Sequence, residues 1–182
     1  MNVADGRRSS AGARGVGLTR QQALWLVPSA LAIHNAEEAL TFPTYWPIVR
    51  GRLPDVIRPI TADFHAADFR SALVWATLVP IAIVGWAALR PDSSIARWAA
   101  LVVQAVMAVN VVSHVAVAAL FMHGYSPGII TAVLVNAPLS FYLFRRAARE
   151  HWISQAAWRG VVPAALFIHG PALIGLLILS RR

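Results

Sequence analysis

Five apolar stretches, at about 21–42, 69–89, 97–122, 127–144 and 160–180, occupy most of this 182-residue chain. Each is close to the ~20 residues that an α-helix needs to cross a bilayer. Only helices and closed barrels satisfy their backbone hydrogen bonds in hydrocarbon, and runs this long are helical rather than strand-like. The pattern predicts an all-α integral membrane bundle of about five transmembrane helices. Charge agrees: 13% of residues are charged, against about 25% in a soluble domain. The absence of cysteine excludes disulfides, a thiol nucleophile, and thiolate or iron–sulfur metal sites.

The segments organise as a single domain over 21–182, behind a Gly/Ser/Ala/Arg-rich tail at 1–20 whose composition predicts disorder. The longest connection, 43–68, contains Pro43, Pro47, Pro54 and Pro59. Thr61 offers an N-cap, so the second helix is expected to begin near 62. The turn His123-Gly-Tyr-Ser-Pro-Gly128 makes the third and fourth spans an antiparallel hairpin. The formal net charge of +8 is carried by arginine alone. With the N-terminus inside, cytoplasmic segments hold ten arginines and outer segments six, so the expectation is a bacterial inner (plasma) membrane protein with a cytoplasmic N-terminus. The expected partner of the charge is the lipid bilayer and not nucleic acid, since no basic stripe is interleaved with aromatics in a soluble segment.

Polar groups inside the apolar runs mark the functional region. The first run reads His34-Asn35-Ala36-Glu37-Glu38, and ionisable groups in hydrocarbon cost several kcal/mol unless paired, hydrated or metal-bound. The third run adds Asn110, Ser113 and His114, the fourth Asn136, and the fifth His169. At ~1.5 Å per residue, His34, His114, Asn136 and His169 lie about 10–16 Å below the outer interface, in one slab. His34 shares a helix face with either glutamate at i,i+3 or i,i+4. Glu37 and Glu38 point about 100° apart, so one is expected to meet His34 and the other a neighbouring helix. Residues 27–34 and 162–169 also match at six of eight positions, each placing a histidine six residues after a proline. That is the pattern of a parallel repeat.

The leading expectation is a divalent metal site (zinc, iron or manganese) with His34, Glu37, Glu38, His114 and His169 as ligands and Asn110 and Asn136 as supporting donors. Glu37 and Glu38 are also the candidate catalytic carboxylates, and a lipid-like small molecule entering from the bilayer is the expected substrate class. A haem held axially by His34 and His169 finds no supporting propionate-binding pattern. Three other readings use the same residues. They are a metal-free enzyme with a buried glutamate as acid or base, a proton-coupled transporter or relay, possible for so few spans if the chain forms a homo-oligomer, and a structural polar cluster holding the bundle together. His123, Tyr125 and His151 are expected in wet loops, and His65 and Asp68 at a solvated helix end.

His34-Asn-Ala-Glu-Glu38, followed by Phe42-Pro43 and Trp46, resembles the HXXEE family of small bacterial membrane proteins. The resemblance runs from about residue 24 to the last span and includes the setting of Asn110, His114 and Asn136 in later spans. It implies the helical membrane fold and singles out His34, Glu37 and Glu38 as the defining residues. It implies no reaction.

Overall fold

The computed structural model describes residues 17–52, 54–55 and 65–179. Among them the chain is helical apart from short turns, with no strand. Five helices follow one another: α1 (Arg20–Arg52), α2 (Ala66–Leu89), α3 (Ser94–Met122), α4 (129–149) and α5 (Gln155–Leu179). α2, α3 and α5 are each long and apolar enough to cross a membrane. The tail at 1–16 and the Thr61 cap lie outside the described residues.

Local chemistry sets the helix starts. Thr19 Oγ1 accepts from Gln22 N–H at 3.2 Å while Gln22 Oε1 accepts from Thr19 N–H at 2.8 Å, a reciprocal cap for α1. The Asp68 carboxylate accepts from His65 N–H at 3.0 Å and opens α2. Ser93 and Ser154 hydroxyls accept from the backbone N–H three residues on, opening α3 and α5. α3 ends where His123 turns left-handed at φ 51°.

α1 is longer than its apolar run. It continues through Pro43 and Pro47 to Arg52, into the segment whose prolines predict a connection. Each proline removes one backbone hydrogen bond from the helix, and contacts elsewhere hold the extension. Phe42 stacks on Phe69 of α2 at 3.9 Å and on Trp46 at 5.0 Å. The Arg52 guanidinium donates to the Phe121 and Met122 carbonyls at the end of α3.

α3 is the hub and packs against all four other helices. Its contact faces are rich in small residues (Ala96, Ala100, Ala105), as are those of its neighbours (Ala23, Ala30, Ala87, Ala165). Small side chains let helix backbones approach closely. Large apolar side chains point outward instead: Trp75, Leu89, Val112, Leu134, Phe141 and Phe167 are all more than half exposed. An apolar exterior over a small-residue interior suits a lipid environment, since soluble monomers keep exposed apolar patches to a few hundred Å².

Three helices also widen into single π-helical turns, at Ala118–Met122, Ala132–Asn136 and Ile168–Ala172. Such turns recur at functional sites. All six histidines are described, and His169 lies within one of these turns.

Candidate metal centre

α1, α3 and the start of α4 build the site. His34 is fully buried. Its Nε2 lies 2.7 Å from the Asn110 amide nitrogen of α3, and its Nδ1 lies 2.9 Å from Thr131 Oγ1 of α4. An amide nitrogen only donates, so Nε2 holds the lone pair and Nδ1 carries the proton. Nδ1–H donates to Thr131 Oγ1, and the Thr131 hydroxyl donates onward to Glu37 Oε2 at 2.6 Å. The order is carboxylate, hydroxyl, imidazole, which fixes the tautomer; the Nε2 lone pair receives the Asn110 amide, so His34 would ligate a metal only with Asn110 turned aside.

Glu37 does not share that space. Its Oε2 also accepts from Thr131 N–H at 2.8 Å, and its Oε1 accepts from Tyr125 O–H at 2.9 Å and Ile130 N–H at 3.3 Å. The first N–H groups of any helix lack partners within it, and that end carries partial positive charge. Glu37 of α1 therefore caps α4. Burial raises the Tyr125 phenol above its ordinary value, with the Glu37 carboxylate adding to the effect, so it stays protonated and donates.

Glu38 lies about 100° around α1 and turns to the histidines. Its Oε1 is 3.3 Å from His114 Nε2, and its Oε2 is 3.9 Å from His34 Nε2. The two imidazoles meet edge to face, with centroids 4.9 Å apart. One ligand atom from each of His34, Glu38 and His114 falls within 4.8 Å of the others. Ligands about 2.1 Å from a tetrahedral ion stand about 3.4 Å apart. The His114–Glu38 pair already has that spacing, and His34 needs a small inward shift. His34 is sealed while Glu38 and His114 keep 14% and 12% exposure, so the trio has one open side.

The fourth wall is Gly128, buried at φ +83°. A Cβ there would stand 2.7 Å from His114 Cε1, 2.8 Å from His34 Cε1 and 2.9 Å from Glu38 Cγ. No side chain fits, so the backbone of the α3–α4 turn closes directly over the imidazoles.

The structure thus gathers three of the five expected ligands. Glu37 is committed to α4. His169 lies beside Ser113, its Nε2 2.9 Å from the hydroxyl. That hydroxyl also reaches the Val109 carbonyl at 3.2 Å, and His169 stands outside the His34, Glu38 and His114 group. The two proline–histidine segments fall on α1 and α5, and both imidazoles turn toward α3. Asn110 touches His34 directly. Asn136 is fully buried, and neither its Nδ2 nor its Oδ1 has a partner among the described residues. His123 and His151 are exposed, and Asp68 is buried as the α2 cap.

Sequence reasoning missed Gly128, Thr131 and Tyr125. Only Gly128 carried a signal: a Pro-Gly pair ending a tight turn beside a polar span.

Comparison with known proteins gives a consistent placement. The chain is similar to the uncharacterised protein YrkK of Bacillus subtilis (strain 168), 26% identical over 152 residues that cover 83% of this chain and 85% of that one. No solved structure matches. Residues 25–143 match the family described as "Protein of unknown function with HXXEE motif". That segment contains the His34, Glu38, His114, Gly128 and Thr131 site and stops before α5. With more than half of its length matched, including His34-Asn-Ala-Glu-Glu38, the chain belongs to this HXXEE family.

Proposed function

We propose that the protein is a five-span inner-membrane protein whose His34, Glu38 and His114 bind a divalent metal in the outer half of the bilayer. The carrying observation is the convergence of two histidines and one carboxylate from α1 and α3 within 4.8 Å. The Glu37–Thr131–His34 row supports it, because metal-bound histidines donate their other N–H toward a carboxylate, directly or through a neighbour. Two histidines and one carboxylate is the donor set of catalytic zinc sites and of non-haem iron sites with open positions. Zinc, iron and manganese all fit it. On this reading Glu38 is a ligand, and Glu37 positions His34 through Thr131.

The open side at Glu38 and His114 favours a reaction in which the metal activates water or oxygen against a lipid-like substrate arriving from the bilayer. α1 and α4 complete the five spans, with Glu37 and Glu38 of α1 paired inside the protein. A second reading, proton uptake by the cluster, draws support from the titratable groups Glu37, His34, Glu38 and His114, joined through Thr131 and the His34–Glu38–His114 contacts.

Elemental analysis of detergent-purified protein, prepared without chelators, tests the proposal. Near-stoichiometric zinc, iron or manganese is expected in the wild type and little in Glu38→Gln/His114→Ala. A folded wild type free of metal would sink the metal reading and leave proton uptake.

A further inference from the structure

Below the metal site, between the same two helices α3 and α4, lies a second polar layer. Gln104 of α3 and Asn136 of α4 are both fully buried. Ser140 lies between them: Gln104 Nε2 donates to Ser140 Oγ at 2.7 Å, and Ser140 Oγ donates to the main-chain carbonyl of Asn136, one turn earlier in α4, at 2.7 Å. Three buried polar atoms then remain without a partner among the described residues: Gln104 Oε1, Asn136 Nδ2 and Asn136 Oδ1. Buried polar atoms in native proteins almost always find a partner, and a cluster of them without protein partners is the usual seat of internal water.

Helix geometry ties this layer to the site above. Gln104 lies six residues before Asn110 on α3, and Asn136 five residues after Thr131 on α4, so both lie about 8–9 Å from the first layer, on the same side. In a regular α-helix, residues five apart diverge by about 140°. The π-helical turn at Ala132–Asn136 closes hydrogen bonds between residues five apart, which brings Asn136 round toward the face that Thr131 presents.

The unpartnered atoms also define the ligand. Asn136 offers a donor and an acceptor side by side, and Gln104 adds an acceptor. A bare cation would leave the Asn136 amide protons unmatched, and an anion would leave both carbonyl oxygens unmatched. Water suits atoms of both kinds, since it donates and accepts at once and needs two to four polar partners. We infer that Gln104, Asn136 and Ser140 hold internal water, forming a hydrated step that extends the polar interior from His34 toward the opposite membrane face. The inference rests on the second layer alone and stands whether or not the upper site binds metal.

Water-edited solid-state NMR of the wild-type protein in bilayers tests it, with the Asn136 and Gln104 side-chain amides identified from Asn136→Leu and Gln104→Leu spectra. Both amides are expected to receive water magnetisation about as fast as loop residues such as Gly124, and several-fold faster than buried Leu101. Build-up as slow as that of Leu101 would overturn the inference. In Asn136→Leu, transfer to the Gln104 amide is expected to fall several-fold and the melting temperature to drop, because a shared water has lost its anchor. A dry Asn136 gives the reverse: leucine relieves an unmatched amide and raises the melting temperature. Transfer to Gln104 that persists unchanged in that variant would equally overturn a shared water.

Discussion

Glu37 and Glu38 are neighbours in the chain and share no partner. Charge removal should therefore separate their roles. Glu37→Gln is expected to lower stability by about 2 kcal/mol, the scale of losing a hydrogen bond to a charged group. Hydrogen exchange should speed up at the start of α4. Glu38→Gln should leave α4 protected and abolish metal retention. Equal exchange profiles in the two variants would contradict this division. Gly128→Ala combines a left-handed φ with contacts under 3 Å to three site residues. It should weaken metal binding at least ~10-fold, measured by competition with a chromogenic chelator, because ligand supports commonly carry 10–100-fold effects. Thr131→Val removes the hydroxyl between Glu37 and His34 at nearly constant shape, and Thr131→Ser restores it. Weakened binding in the valine variant with recovery in the serine variant is the expected pattern. Equal affinity in both would remove Thr131 from the site.

At the scale of the element, α4 is fixed at both ends. Its start is capped by Glu37. At its end, Glu150 accepts from Arg146 Nε at 2.6 Å and from Trp152 Nε1 at 2.7 Å. Burial opposes ionisation of Glu150, but these hydrogen bonds and the nearby arginines outweigh it and hold the carboxyl below its ordinary value. A depressed carboxyl contributes stability that is full above the unfolded value, about pH 4.3, and lost as pH falls through the folded one. Unfolding midpoints of the wild type should therefore drop below about pH 4.5, and Glu150→Gln should flatten that decline. The carboxylate is 38% exposed, so salt should reduce the effect.

How much of these elements could be read in advance follows from what makes them. The apolar runs placed four helices to within five residues at either end, because the length of an apolar run is set by composition. α1 overran its apolar run by ten residues, since Phe42 and Arg52 found partners on α2 and α3 that lie far away in sequence. The sequence placed His34, Glu38, Asn110 and His114 in one region, because charge in an apolar run is conspicuous. It could not show that Glu37 belongs to α4, because the Ile130 and Thr131 backbone amides it holds have no residue letter.

For the whole molecule, orientation is the open and testable property, and the cysteine-free chain suits it. Single cysteines at Gly124, in the exposed α3–α4 turn, and at Ala156, exposed at the start of α5, should react differently in intact cells. A membrane-impermeant thiol reagent, which needs a hydrated thiolate, should label Gly124→Cys at once and Ala156→Cys only after permeabilisation. The opposite order would invert the proposed topology.

The Glu37 cap also constrains how the protein is made. Its carboxylate and the Thr131 amide are 94 residues apart. At ~5–20 residues per second, α1 waits roughly 5–20 s on the ribosome-bound chain before its partner exists. During that interval the Glu37 carboxylate lacks the Thr131 and Ile130 amides that hold it in the finished protein, and an unpartnered carboxylate disfavours lipid by several kcal/mol. On the five-span reading proposed above, α1 stays in the insertion machinery or at the membrane surface until the α3–α4 hairpin arrives. A chain truncated before Thr131 should then leave a single cysteine placed in α1 open to a membrane-impermeant thiol reagent, and the full-length chain should protect it.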